Sequence, residues 1–208
     1  MHQKKSRVLI IALFILCFMC GCGKKTKEYV IPGALYFDEN TTKEEKAYLV
    51  VGIRTNRDKN NKKFVEDAYL NEDGDIVMVM TEKQRKVQIQ SNIECMPMFI
   101  SFINDDLLGV SGTFSKKCQA YYCDDDMTEL YLYFVSREAF ETSEYNATID
   151  RILALMFSQQ ILNGGDREDI QATLYIEFID TGDVETSTYH YDDLPIAKTA
   201  DFRGGSRQ

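Results

Sequence analysis

Tyr69-Leu70-Asn71-Glu72-Asp73-Gly74-Asp75-Ile76-Val77-Met78-Val79-Met80-Thr81-Glu82-Lys83-Gln84 compresses a strand end, a tight turn, a second strand and a helix start into one short passage. Asp-Gly favours the positive backbone dihedrals of a hairpin turn. Phe64 to Leu70 and Asp75 to Met80 are therefore read as strands folded back around residues 71–74. Thr81 stands three residues before Gln84, the spacing at which hydroxyl and side-chain amide satisfy each other's backbone N–H in a capping box. A helix is expected to start there. Val87, Ile89, Ile93, Met96, Ile100 and Ile103 recur at largely helical intervals and carry it to about Asp105. Pro97 lacks an amide hydrogen and collides with the preceding turn, so a kink or break is expected near Glu94 to Met96.

Working outward, Ala47 to Arg54 (AYLVVGIR) reads as a strand, and the very polar Thr55 to Lys63 as a loop. Downstream, Cys118 to Cys123 (CQAYYC) and Glu129 to Val135 (ELYLYFV) are rich in strand-forming aromatics and flank an Asp-rich turn, giving a second hairpin. Ser143 is a candidate cap for a second helix through Tyr145, Ile149, Ile152, Leu153, Met156 and Gln160, ending at Asn163-Gly164-Gly165. Its ILALMF centre is apolar almost all round, which predicts a deeply buried helix. Gln171 to Asp180 and Val184 to Tyr191 form a third hairpin around Thr181-Gly182-Asp183.

From Asp75 onward the order is strand, helix, strand, strand, helix, strand. That is the split β-α-β order of ferredoxin-like domains, with an extra strand at each end. It predicts an α+β fold with an antiparallel sheet and two helices on one face.

The N-terminus has a different grammar. Lys4, Lys5 and Arg7 precede an apolar run from Val8 to Phe18, and Gly21, Cys22, Gly23 and three lysines end it. A basic region followed by a short apolar run and small residues is the layout of a secretory signal. The run is short for a span, which needs roughly 20 apolar residues. Met19-Cys20-Gly21-Cys22 resembles the lipobox of bacterial membrane lipoproteins, which are acylated on a cysteine and cleaved just before it. Gly21 matches the small residue that the family requires, while Met19 and Cys20 stand where it usually has Leu and Ala, Ser or Thr. Met19 and Leu16 are too bulky to precede the acceptor, so Cys22 is preferred over Cys20 and Cys17. An uncleaved anchor or an ordinary signal peptide is the other reading of this leader.

The resemblance implies a signal peptide over 1–21 and a lipidated tether over 22–28; length and the lack of an internal linker add a single domain over 29–194, and the rest reads as a disordered tail over 195–208. Cleavage removes 21 of 208 residues and leaves 187; losing Lys4, Lys5 and Arg7 takes the net charge from −9 to −12. Nucleic-acid binding rests on Lys and Arg neutralising phosphates, so that class is excluded. Lys24, Lys25 and Lys27 are placed either against anionic headgroups or in a solvated linker. The mature part is also loosely similar to small uncharacterised lipoproteins of low-GC Gram-positive bacteria, through YLNEDGDIVMVMTEKQ and DDDMTELYLYF. That similarity implies no activity.

Candidate chemistry is sparse. Besides Cys22 the mature chain has Cys95, Cys118 and Cys123, an odd set. Cys118 and Cys123 either pair across a local bend or, the favoured reading, all three act as small buried apolar residues. His190 is the single mature histidine, so a His/Cys zinc site is not expected. Asp124, Asp125 and Asp126, with Asp105, Asp106 and the 71–75 turn, offer oxygen ligands for calcium, but lack the twelve-residue loop pattern and suit solvated turns better. Glu177 and Glu185 are a possible acid-base pair, expected on the wet face of the last hairpin. No catalytic, cofactor-binding or metal residue is assigned; the one assigned site is the lipid-attachment residue Cys22.

Tyr121, Tyr131, Tyr133, Tyr175, Tyr189 and Tyr191 fall on predicted strands, Tyr131 and Tyr133 on one face by the two-residue period. Uncovered, that face suits protein or glycan contact; covered by helices, which is the favoured reading, it is core. The expectation is a lipid-anchored extracytoplasmic interaction module on the membrane of a bacterial cell envelope. The rival readings are an envelope hydrolase built on carboxylates and a ligand-binding accessory of a membrane complex, though 187 residues is short for a two-lobed binder.

Overall fold

The computed structural model describes residues 24–37, 40–57, 60–104 and 117–193. Cys22, Asp105, Asp106 and the stretch 195–208 lie outside the described residues.

Two sheets share one hydrophobic core. The first has the order β1-β3-β2, all antiparallel, from β1 (Thr26–Ile31), β2 (Asp67–Leu70) and β3 (Ile76–Thr81). The second has the order β4-β5-β6-β7, from β4 (Cys118–Cys123), β5 (Glu129–Phe134), β6 (Gln171–Phe178) and β7 (Asp183–His190). The helices are α1 (Lys43–Thr55), α2 (Glu82–Ile103), the short α3 (Arg137–Glu141) and α4 (Tyr145–Leu162).

The α+β class stands, and all three expected hairpins are present. Gly74 adopts φ 85°, the left-handed geometry that the Asp-Gly turn requires. The Thr81 capping box forms: its hydroxyl accepts from the Gln84 amide at 3.3 Å, and the Gln84 carbonyl oxygen accepts from the Thr81 amide at 2.9 Å.

The ferredoxin-like order is corrected in one respect, because its first strand does not enter the sheet formed by the rest. A strand has two edges, and β1 and β2 occupy both edges of β3. β5 and β6 meet directly instead, in parallel, from Glu129 opposite Thr173 to Phe134 opposite Phe178. The second sheet is therefore mixed, and the α3–α4 stretch is its parallel crossover.

Three local expectations are also corrected. Ala47 to Arg54 is helix, not strand, because Thr42 and Glu45 form a capping box that starts α1. Of the kink or break expected at Pro97, the break is absent: α2 is continuous from Glu82 to Ile103. Pro97 and Ile93, whose carbonyl loses its amide partner, are both exposed, so solvent reaches that oxygen, while Met96, Ile100 and Ile103 anchor both halves in the core. β1 begins at Thr26, inside the stretch read as tether, which shortens the link to Cys22.

α4 is the centre of the molecule. It packs on α2, on β1 of the first sheet and on β6 of the second. Ile152, Leu153, Met156 and Phe157 are each at most 1 % exposed, as an apolar helix centre predicts. Ser143 accepts from the Tyr145 amide at 3.2 Å, although the cap position itself is Glu144. Ser136 caps α3 just upstream, an added helix that the sequence reading did not resolve.

Polar side chains on α4 tie the layers together. Gln160 donates to the carbonyls of Met127 and Gln171 at 2.8 and 2.9 Å, fixing the start of β6 against the β4–β5 turn. At the far end of β3, the buried Asp75 carboxylate accepts from the Gly33 amide at 2.9 Å and from Arg167 at 2.8 Å. Arg167 also lies 4.8 Å over the Tyr191 ring.

Candidate functional site

Strict alternation in the second sheet gives it two unlike faces. Leu130, Leu132 and Phe134 of β5, with Leu174, Ile176 and Phe178 of β6, point inward and are at most 6 % exposed. Against them lie α2, α3 and α4. Glu129, Tyr131 and Tyr133 point the other way, with Thr173, Tyr175 and Glu177 beside them. Among the described residues no helix packs on this outer face.

Register arranges the outer residues in rows. Tyr122, Tyr131, Tyr175 and Thr186 form the central row across four strands; Ala120, Tyr133, Glu177 and Val184 form the row on one side, and Glu129, Thr173 and Thr188 the row on the other. Tyr131 and Tyr175 stack at 4.3 Å between centroids with an 8° interplanar angle, and Tyr122 tilts against Tyr131 at 5.8 Å. Both stacked phenols donate toward one carboxylate, Tyr131 to Glu129 Oε2 at 3.3 Å and Tyr175 to Glu129 Oε1 at 3.5 Å. Desolvation, the Glu129 charge and the neighbouring Tyr175 push the Tyr131 hydroxyl up to about 12. At neutral pH it is a fixed donor.

The favoured core reading of these tyrosines is thus corrected for Tyr131, Tyr133 and Tyr175. Helices cover one face only, and the period of two puts these residues on the other. Tyr121 does face the core side, Tyr189 packs against it, and Tyr191 sits under Arg167. Tyr122, not singled out from the sequence, joins the open row at 57 % exposure. The register of β4 on β5 placed it there, across an irregularity between Cys118 and Ala120 that no sequence period announces.

This face is acidic in setting. Residues 117–193 hold seventeen Asp and Glu against four Lys and Arg, and no Lys or Arg stands in the three rows.

The other candidates disperse. Asp124 accepts from the Thr128 and Glu129 amides at 2.7 and 2.8 Å and from the Thr128 hydroxyl at 2.6 Å, so its carboxylate closes its own turn. Among the described residues no group of three His, Cys, Asp or Glu is placed to hold a metal ion. Glu177 and Glu185 do not converge: Glu177 lies opposite Val184 on the open face, and Glu185 lies opposite Ile176 on the other face, bound to Arg137 at 2.5 Å. The His190 amide donates to Asp193 at 2.8 Å, at the exposed end of β7.

Cys95, Cys118 and Cys123 are free thiols. Cys118 and Cys123 end the same strand, which at about 3.3 Å per residue holds them roughly 16 Å apart. A disulfide needs Cα atoms within about 7 Å, so the local-bend pairing is corrected. Burial pushes their thiols up, to about 11 for Cys118 and, with Asp124 adding to it, to about 12 for Cys123.

Compared with protein-family models, curated proteins and solved structures, the chain gives no match.

Proposed function

We propose that this protein is a lipid-anchored, extracytoplasmic binding module of a bacterial cell envelope, held to the membrane through acylated Cys22, with the open tyrosine face of the second sheet as its contact surface for an envelope protein or glycan. The observation that carries the reading is the row Tyr122–Tyr131–Tyr175, exposed at Tyr122 and half-buried at Tyr131 and Tyr175, flanked by half-buried Tyr133 and exposed Val184 on a sheet face that no described helix covers. Tyrosine gives large contact area at low side-chain entropy cost together with a polar tip. The stack and its shared Glu129 partner hold the central rings in place before a partner arrives, which lowers the ordering cost of binding. The leader supports the location, since a short apolar run ending in Gly21-Cys22 suits cleavage and acylation.

The test has two parts. Cys22→Ser should abolish acyl labelling and leave the precursor uncleaved after Gly21; unchanged labelling overturns the anchor. A photo-crosslinking residue at position 122 should capture a discrete envelope adduct in intact cells, and Tyr131→Ala with Tyr175→Ala should abolish it. The same group at exposed Tyr48 on α1 is the control. Equal adducts from both positions, or none from 122 together with no retention on isolated wall glycan, overturn the tyrosine face as the contact surface.

A further inference from the structure

We propose that the domain rests on the bilayer through one basic end of the first sheet, an anionic-lipid docking surface built by Lys24, Lys25 and Lys27 together with Lys63, Lys83 and Lys86. The fold assembles it from three separate stretches. Thr26 pairs with Thr81, which brings the start of β1 to the first turn of α2. Gln84 of that turn donates to the Lys63 carbonyl at 3.1 Å, and Lys24 reaches Glu66 at 3.0 Å. The described residues within 24–28, 57–67 and 82–86 hold nine Lys and Arg against four Asp and Glu.

Local neutralisation is incomplete. Glu66 takes up Lys24, and Glu82 is shared by Arg85 at 2.7 Å and Lys86 at 3.9 Å. Both carboxyls are held below their ordinary range by these cations, with Lys63 and Lys27 contributing from further away. Lys83 also stands in the first turn of α2, where the helix dipole disfavours positive charge, with Glu82 as the acidic residue of that turn. Between Arg57, Phe64, Lys83, Lys86 and Val87 runs an open groove of about 900 Å³, in which three cations outnumber the carboxylates of Glu82 and Glu94 and apolar side chains share the lining. That combination fits lipid headgroups better than a bare ion.

The rest of the chain orients the contact. Residues 117–193 carry seventeen carboxylates against four cations, so an anionic bilayer repels that half while attracting this end. The inference rests on the anchored reading for its geometry: Lys24 is two residues from Cys22, at most about 7 Å of extended chain. An acylated Cys22 brings the basic end to the headgroups within a Debye length of about 8 Å.

The test uses the full acylated chain on vesicles of phosphatidylcholine alone and of phosphatidylcholine mixed with phosphatidylglycerol, with a membrane-impermeant amine reagent and peptide mapping. Lys83 and Lys86 should be shielded at least fivefold on the anionic vesicles and the shielding lost at high salt; Lys43 and Lys46, at the far end of α1, should label equally on both. Lys83→Glu with Lys86→Glu, both exposed positions, should keep the native circular dichroism and abolish the shielding of Lys25 and Lys27. Equal labelling of Lys83 and Lys86 on both vesicles overturns the proposal. So does equal shielding by inorganic phosphate without vesicles, which assigns the groove to a soluble anion. The mass of the Cys22 peptide in the same digest reports the anchor separately, so an unacylated chain that is still shielded overturns the anchor alone.

Discussion

Arg167 donates from Nη1 to Asp75 Oδ2 at 2.8 Å, joining the α4–β6 connection to the end of β3 across 92 residues of chain. The other Asp75 oxygen holds the Gly33 amide, so one buried carboxylate fixes three separate segments.

Asp75→Ala leaves the buried Gly33 amide without its acceptor and should cost about 2–3 kcal/mol, within the range for hydrogen bonds to a charged group. Arg167→Ala should cost about 1–2 kcal/mol, because the Arg167 side chain is 44 % exposed and solvent screens its charge. Urea denaturation measures both. An Asp75→Ala midpoint equal to that of the native protein would refute the role.

Gly33→Ala should be among the most destabilising small substitutions. A Cβ at Gly33 would stand 2.3 Å from the Gly74 carbonyl oxygen, a backbone atom that cannot turn aside. Overpacking of this kind costs about 1–3 kcal/mol or more. Gly52→Ala on α1, where an added Cβ meets nothing within 4 Å, is the internal control and should stabilise by up to about 1 kcal/mol. Thermal unfolding of the two variants should shift in opposite directions.

Asn92 donates to Gln159 at 3.0 Å inside the α2–α4 contact, while Gln159 Nε2 is buried with no hydrogen-bond partner among the described residues. Asn92→Leu and Gln159→Leu should each destabilise by about 1–3 kcal/mol, since each strands the other amide. The double replacement should be less costly than their sum, because it removes both buried partners and leaves only the half-buried Gln88 amide, which donates to Asn92 at 3.0 Å, to turn to water. A strictly additive double-mutant cycle would contradict the pairing.

The Tyr131 hydroxyl is pushed up to about 12, first by desolvation, then by the Glu129 charge and Tyr175. Unfolded, it ionises near 10. Between these values the folded state binds more protons than the unfolded one, so stability is intact below pH 10 and falls as pH rises toward 12. Tyr131→Phe should flatten that alkaline loss and remove a late component from the phenolate absorbance titration. An unchanged titration curve would exclude the shift.

Cys118 is 2 % exposed and Cys123 has its thiol pushed up to about 12, so neither supplies appreciable thiolate at pH 8. An aromatic disulfide reagent on the native protein should leave both unmodified and react with both after denaturation. Rapid native modification of Cys123 would show that β4 opens readily at its C-terminal end.

Much of the local structure was legible because it is local. The Asp-Gly turn, the Thr81–Gln84 box, the aromatic strands and the Asn163-Gly164-Gly165 stop each lie within a few residues, and each is found. The helical character of Ala47 to Arg54 is equally local. Apolar residues at Leu49, Val50 and Ile53 fit a helical stripe, and Thr42-Lys43-Glu44-Glu45 carries the same capping grammar as Thr81-Glu82-Lys83-Gln84. Whether Pro97 breaks α2 is not a local matter: its cost depends on whether the orphaned carbonyl faces water, and that is set by packing.

The α+β class, the three hairpins, the buried α4 and the contrast between a basic start and an acidic remainder are all written in the local sequence. These follow from periods, turn residues and charge, all properties of short windows. Only the tertiary structure decided that β3 joins β1 and β2 rather than the sheet of β4 to β7, because strand pairing is a competition for two edges across long separations. The same pairing of β1 with β3 gathered lysines from three distant stretches at one end of the first sheet, which no local pattern encodes.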